Sequence, residues 1–187
     1  VSYALGAAAE IELLTTTLQG GVAAIDLTGN NFAQGINGNE GTNILNGLGG
    51  NDTLRGLGGD DTLNGGTGND SLAGGEGDDR IIGGAGQDAM TGGAGLDTFV
   101  FVSVADSNPH LRDVVTDFTA ASDRIDLSGI GGLTFIGTAA FSAAGQVRFA
   151  AAGTDGVIEV NTVGSSGADF ALLLTGVTAF DGTDLIL

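Results

Sequence analysis

The 187-residue chain carries 23 acidic side chains against five arginines and no lysine, a formal net charge of −18 at pH 7. A chain so poor in cationic groups does not draw nucleic acid, anionic membrane or polyanionic sugar by simple charge attraction; it draws cations. With 42% hydrophobic residues it can bury a core once its acids are neutralised, and the absence of cysteine excludes disulfides and thiolate metal sites.

The opening VSYALGAAAE has no basic region leading into an apolar run, and no apolar stretch approaches the roughly 20 residues of a membrane span. Without an initiator Met, Val1 reads as a cut inside a longer protein that is not exported by a visible N-terminal signal. The stretch AEIELLTTT, with alternating Ile11 and Leu13, reads as a strand. Glu10 and Glu12 on it are solvated charges rather than a catalytic pair. Leu27 and Ile36 then fall at nine-residue spacing, with Ala24 and Gln34 where later turns carry an acid. Residues 1–37 therefore form a β-rich segment of degenerate coils that can stack without metal.

From Gly38 to Val100 one nine-residue unit repeats seven times in register: GNEGTNILN, GLGGNDTLR, GLGGDDTLN, GGTGNDSLA, GGEGDDRII, GGAGQDAMT and GGAGLDTFV. Each fits G-G-x-G-x-D-x-U-x, where U is large and apolar. Glycines at the first, second and fourth positions permit positive φ, so the first half reads as a turn. The second half runs extended and puts U on one side. The U residues Leu45, Leu54, Leu63, Leu72, Ile81, Met90 and Phe99 would stack into an apolar ladder. One unit cannot bury a face alone; two make a coil of about 18 residues, and coils stack into a parallel β-solenoid.

Consecutive units then lie on opposite sides. Asp52, Asp70 and Asp88 line one edge, and Asn43, Asp61, Asp79 and Asp97 the other. At a coil spacing of roughly 4.8 Å, stacked carboxylates repel unless a cation sits between them. A hard dication taking six to eight oxygens resolves this, and calcium suits the flexible oxygen set better than magnesium. Zinc is disfavoured because the repeats contain no His or Cys. A plain turn would accept Asn or Ser at that phase, yet Asp recurs in six consecutive units.

The nonapeptide is identified as that of RTX (repeats-in-toxin) proteins, and the stretch from Val1 to Leu45 resembles segments between their repeat blocks. The resemblance implies carbonyl ligands at the first, third and fifth positions: Gly47, Gly49 and Asn51; Gly56, Gly58 and Asp60; Gly65, Thr67 and Asn69; Gly74, Glu76 and Asp78; Gly83, Ala85 and Gln87. The side chains of Asp60 and Asp78 read as solvated surface rather than as ligands. The aspartate pairs are Asp52/Asp70, Asp70/Asp88, Asp61/Asp79 and Asp79/Asp97, with Asn43/Asp61 a weaker fifth, for about four to six Ca²⁺.

After Val100 the glycine rhythm stops, and eight of the nine phenylalanines lie from Phe99 onward. Residues 101–187 read as a β-rich cap with a second core closing the solenoid, which itself spans 38–100. FVFVSVADSNPHLRDVVTDFTAASDRIDLSGI resembles the C-terminal domain of serralysin-type secreted proteases. That likeness places Asp113, Asp117, Asp123 and Asp126 on its acids, one or two of which would complete a junction calcium site. The ending Asp184, Leu185, Ile186 and Leu187 resembles the tail of proteins exported by type I secretion.

No catalytic constellation is visible: there is no H-E-x-x-H, no G-x-S-x-G, and the one histidine, His110, stands beside Pro109 in a loop. The reading is an all-β, parallel β-roll with a capping domain, a non-catalytic calcium-binding module at the C-terminus of a larger secreted, extracellular protein. Its partners are the upstream domain, which it stabilises, and the type I secretion machinery. Calcium drives its folding after export. The alternative is a polysaccharide-binding or adhesion module such as that of an alginate epimerase. Against it, Arg55, Arg80, Arg112, Arg124 and Arg148 are scattered along the chain.

Overall fold

The computed structural model describes residues 1–15, 21–164 and 167–187. Its strands in chain order begin with β1 (Ser2–Ala4), β2 (Leu13–Thr15), β3 (Asp26–Thr28) and β4 (Gly35–Asn37). The repeats supply β5 (Ile44–Gly49), β6 (Thr53–Gly58), β7 (Thr62–Thr67), β8 (Ser71–Glu76), β9 (Arg80–Ala85), β10 (Ala89–Ala94) and β11 (Thr98–Val100). The remainder are β12 (Val114–Val115), β13 (Arg124–Asp126), β14 (Thr134–Phe135), β15 (Gln146–Ala152), β16 (Asp155–Asn161), β17 (Phe170–Leu174) and β18 (Leu185–Ile186). Among the described residues no helix is long and apolar enough to cross a membrane.

The chain alternates between two sheets. One is wholly parallel, in the order β1-β3-β5-β7-β9-β11-β13-β18; the other runs β2-β4-β6-β8-β10-β12-β17 in parallel and ends in the antiparallel β17-β16-β15, with β14 beside β15. Pairing register carries Leu45 onto Leu63, Ile81, Phe99 and Ile125, and Leu54 onto Leu72, Met90, Val115 and Leu174. Every residue of these two ladders is buried, and each apolar side chain withdrawn from water contributes about 1.5–3 kcal/mol. A one-residue slip would turn both ladders outward, which fixes the register.

The phase of turn and strand departs from the sequence reading. Each strand runs through the first three positions of the following unit, leaving a turn of about three residues at Gly-x-Asp. Positive φ occurs at the second and fourth positions and not at the first; the second tolerates it even as Leu48 (φ 78) and Leu57 (φ 88). The first-position glycine is there for space, because a Cβ on it would meet the carboxylate of its own turn.

At the N-terminus, Leu27 and Ile36 continue the ladders, and the inward residue of β2 is Leu14, paired with Ile36, whereas Ile11 and Leu13 are exposed. The same register puts Ile25, not Ala24, in line with the turn residue Asn43. Thr16 and Thr17 of the expected strand lie outside the described residues. In place of the expected second core, among the described residues one hydrophobic cluster runs from Leu27 to Val177. Phe101 meets Phe170 edge-on at 5.1 Å, and Phe180 joins Phe118 at 5.7 Å to Phe149 at 5.6 Å. The cap is continuous because β12, β13, β17 and β18 prolong the two sheets of the roll.

Candidate metal centre

Two rows of aspartates run along the edges of the roll, each residue held by the coil on either side. On the first edge the backbone N–H groups of Gln34, Asp52, Asp70 and Asp88 donate to Oδ1 of Asp52, Asp70, Asp88 and Asp113 at 2.7, 2.8, 2.8 and 2.8 Å. On the second, Asn43, Asp61, Asp79 and Asp97 donate to Oδ1 of Asp61, Asp79, Asp97 and Asp123 at 2.6, 2.8, 3.0 and 3.1 Å. The carbonyl of each aspartate accepts from the next coil, as Asp70 does from Ala89 at 2.9 Å and Asp79 from Thr98 at 2.8 Å. Backbone pairing thus sets every carboxylate in one orientation.

Oδ1 is satisfied throughout; Oδ2 is not, except at Asp123, where it accepts from Thr119 N–H at 2.8 Å. Among the described residues the Oδ2 atoms of Asp52, Asp61, Asp70, Asp79, Asp88, Asp97 and Asp113 are buried without a hydrogen-bond partner. Each repeat Oδ2 faces the Cα of the first-position glycine of its own turn. A Cβ on Gly65 would lie 2.3 Å from Asp70 Oδ2 and 2.7 Å from the Gly83 carbonyl oxygen; on Gly74 it would lie 2.1 Å from Asp79 Oδ2 and 2.7 Å from the Gly92 carbonyl. Gly47 and Gly56 show the same pairing of carboxylate and carbonyl, and at Gly83 and Gly92 the carboxylate oxygen approaches likewise. The glycine leaves open a small space lined by oxygen.

Such carboxylates resist ionisation where they are. Burial, opposed by the backbone N–H donors and reinforced by neighbouring aspartates, pushes Asp52, Asp88 and Asp97 up to about 6, Asp61 and Asp79 to about 7, and Asp113 to about 8. Asp70 and Asp123 are raised by the same burial. A bare buried carboxylate oxygen costs several kcal/mol unless a cation or proton meets it.

The two N-terminal turns are closed differently. Asn43 Oδ1 accepts from Asn39 N–H at 2.8 Å, and its Nδ2 donates to Asn39 Oδ1 at 3.1 Å. Gln34 Oε1 accepts from Asn30 N–H at 3.0 Å while its Nε2 donates to Asn30 Oδ1 at 2.8 Å and to the Phe32 carbonyl. A carboxamide supplies both acceptor and donor, so neither turn has an orphaned oxygen. Asn43, expected as a ligand of a weaker fifth site, therefore has a hydrogen-bond partner on both polar atoms of its side chain.

The remaining candidates are distributed as follows. The first-position carbonyls of Gly65 and Gly74 face the cradles at Gly47 and Gly56. The Ala85 carbonyl, expected as a ligand, accepts from Gly68 N–H at 2.9 Å. The side chains at the fifth position form an exposed outer ladder: Asn51 Oδ1 accepts from Asn69 N–H and Asp60 Oδ1 from Asp78 N–H, each at 2.9 Å. Thr67 and Glu76 lie exposed at the ends of β7 and β8, and Gln87 exposed on its turn. Of the cap acids, Asp113 and Asp123 continue the rows. Asp117 accepts from Gly92 and Gly93, and Asp126 from the N–H and hydroxyl of Ser128. Spacing alone could not rank these four, because the step along each row grows from 18 residues to 25 and 26 at the junction.

Among the described residues no three His, Cys, Asp or Glu side chains converge on one point. An ion here would be held by two carboxylates from successive coils, with carbonyls supplying the rest. A buried, all-oxygen set of that kind fits a hard dication such as calcium.

Fold and site together define a β-roll module with paired carboxylate edges. The chain belongs to the family described as Peptidase M10 serralysin C terminal, which it matches over residues 7–187. It is 42% identical over 85 residues to the metallopeptidase AprA of Pseudomonas marginalis, a match spanning 43% of this chain and 18% of that protein. Among solved structures it resembles the R2 subunit of the AlgE6 mannuronan C5-epimerase of Azotobacter vinelandii, with a TM-score of 0.56 and 27% identity over 73% of this chain and 88% of that one. The R3 subunit of the same epimerase aligns at a TM-score of 0.47 and 25% identity over 96% of this chain and 81% of its own. The family is a non-catalytic C-terminal module of a peptidase.

Proposed function

We propose that the chain is a calcium-binding folding module of a larger extracellular protein, its ions lying between successive carboxylates on both edges. The observation that carries this reading is the set of buried, partnerless Oδ2 atoms, six at one phase of the repeat and a seventh at Asp113 of the cap. Five pairs have a bare Oδ2 on both members: Asp52/Asp70, Asp70/Asp88 and Asp88/Asp113 on one edge, Asp61/Asp79 and Asp79/Asp97 on the other; at Asp97/Asp123 the Asp123 Oδ2 already accepts from Thr119 N–H at 2.8 Å. When bound, calcium supplies the positive charge that lets these carboxylates ionise inside the roll.

The energetics make it a switch. Extracellular-type sites with Kd on the order of 10⁻⁴ M each add about 1.4 kcal/mol at tenfold higher calcium. Five contribute about 7 kcal/mol, comparable with the typical 5–15 kcal/mol stability of a domain. Five ions also take the formal charge from −18 to about −8. In calcium-poor cytosol both gains vanish and the chain remains unfolded enough to pass a type I channel. Outside, folding of the roll stabilises an upstream domain, for which the metallopeptidase relative suggests a peptidase.

The polysaccharide alternative receives less support. Arg80 sits 3.8 Å from Asp126, Arg124 3.7 Å from Asp184, and Arg148 2.7 Å from Glu159, so these three cations face acids of the chain itself. Calorimetric titration with calcium, beside Asp70→Asn and Asp79→Asn, tests the proposal. Saturable binding that both substitutions weaken supports it, and no binding, or binding neither substitution alters, refutes it.

A further inference from the structure

The two edges of the roll share one hydrogen-bond pattern and differ in charge. On the edge of Asp52, Asp70 and Asp88 the fifth-position side chains are the neutral Asn51, Asn69 and Gln87. There Asn51 Oδ1 accepts from Asn69 N–H at 2.9 Å and Asn69 Oδ1 from Gln87 N–H at 3.0 Å. On the edge of Asp61, Asp79 and Asp97 the same position holds Asp60 and Asp78, whose Oδ1 atoms accept from Asp78 N–H at 2.9 Å and Leu96 N–H at 2.8 Å. An amide would serve these bonds equally well, so the ladder itself does not require the charge.

That charge reaches the inner row. Asp60 repels both Asp61 and Asp79, and Asp78 with Asp117 repels Asp97. Glu40, on a turn, and Glu76, at the end of β8, stand on the same edge, Glu40 Oε2 lying where a Cβ on Gly58 would be 2.7 Å away. On the opposite edge the inner row meets charge from its own members and Asp106. The inner carboxylates are buried on both edges; the outer negative charge is confined to one.

Resting on the calcium reading above, we infer that Asp60 and Asp78 are affinity-determining residues. The row Asp61/Asp79/Asp97 fills with calcium at lower concentration than the row Asp52/Asp70/Asp88. A negative charge that touches no ion directly still attracts a dication twice as strongly as a monovalent one, and exposed charges act within roughly a Debye length of 8–10 Å. The roll therefore loads one edge first. Because the outer acids are exposed, salt should shrink the difference between the rows.

Calorimetric titration of the whole chain with calcium alone, at low and high salt, reads this directly. Asp60→Asn/Asp78→Asn keeps the outer acceptors and removes two charges; Asn51→Asp/Asn69→Asp does the reverse on the other edge. The expected result is two phases, the tighter abolished by Asp79→Asn and the weaker reduced by Asp70→Asn. The tighter phase should move to about three- to tenfold higher calcium in Asp60→Asn/Asp78→Asn, and the weaker to lower calcium in Asn51→Asp/Asn69→Asp. Midpoints that neither outer pair moves, or that both pairs move without regard to edge, overturn the inference while leaving calcium binding intact. Absence of saturable binding in the unmodified chain, or indifference to Asp70→Asn and Asp79→Asn, is instead a failure of the underlying site reading.

Discussion

The backbone N–H of Asn43 donates to Asp61 Oδ1 at 2.6 Å, and this bond joins a turn that satisfies itself to one that does not. Above it, the Asn43 carboxamide is closed on Asn39. Below it, each carboxylate on the edge through Asp97 leaves Oδ2 bare. One atom type at one phase of the repeat therefore separates a turn whose side-chain polar atoms are all partnered from turns that each bury a bare carboxylate oxygen.

Exchanging the two chemistries should exchange the behaviours. Asp70→Asn replaces a bare oxygen by an NH₂ beside the Gly83 carbonyl, so the calcium-free chain should gain about 1–3 kcal/mol, the cost of an unsatisfied buried group. It should lose part of the stabilisation that calcium gives the parent. Urea midpoints in chelator and in millimolar calcium would show the two effects with opposite sign; a loss of stability in both contradicts the account.

The cradle can also be filled. A Cβ at Gly65 would meet Asp70 Oδ2 at 2.3 Å and the Gly83 carbonyl at 2.7 Å. Gly65→Ala should therefore weaken calcium binding by at least tenfold and lower stability in calcium by about 1–3 kcal/mol, as overpacking does. Calorimetry together with thermal unfolding checks both.

Without calcium, acid should favour the fold. The row carboxylates are raised from 3.8 to about 6 to 8, so the folded state binds protons more tightly than the unfolded state. Stability is then gained as pH falls from about 8 towards 4 and lost as it rises through the folded values. In calcium the protons compete, and affinity should fall over the same range. Circular dichroism in chelator between pH 8 and pH 4.5 would reveal the gain; a flat or falling β signal on acidification would count against it.

The C-terminal residues have a structural place as well as a proposed export role. Leu185 and Ile186 pair with Ile125 and Asp126, and Asp184 Oδ1 accepts from Ala121 N–H at 3.0 Å. Deleting Asp184 to Leu187 should block export and also lower the melting temperature of the cap, while the Asp61/Asp79 pair still binds calcium. Secretion assay and calorimetry on the same truncation separate these effects; normal export would remove the secretion claim.

Much of this was legible because a strict nine-residue period determines which side chains face inward. Leu45 to Phe99 form the two ladders that the repeat implies, and the aspartates divide between edges as alternation requires. What escaped was what periodicity does not encode. Glycine at the first position reads as a turn residue, whereas its role is to leave room for Asp Oδ2. Ser2–Ala4 pairs with β3 although no repeat marks it. Asp113 and Asp123 join the rows only because the chain between them and the repeats folds back into register, a three-dimensional fact absent from their spacing.

Far-UV circular dichroism during calcium titration, with magnesium as control and Asp70→Ala alongside, bears most directly on the proposed switch. A cooperative coil-to-β transition with calcium alone, moved to higher calcium by the substitution, is the predicted result. A fully formed β signal in chelator, unmoved by calcium, would contradict it and make the roll a self-sufficient scaffold.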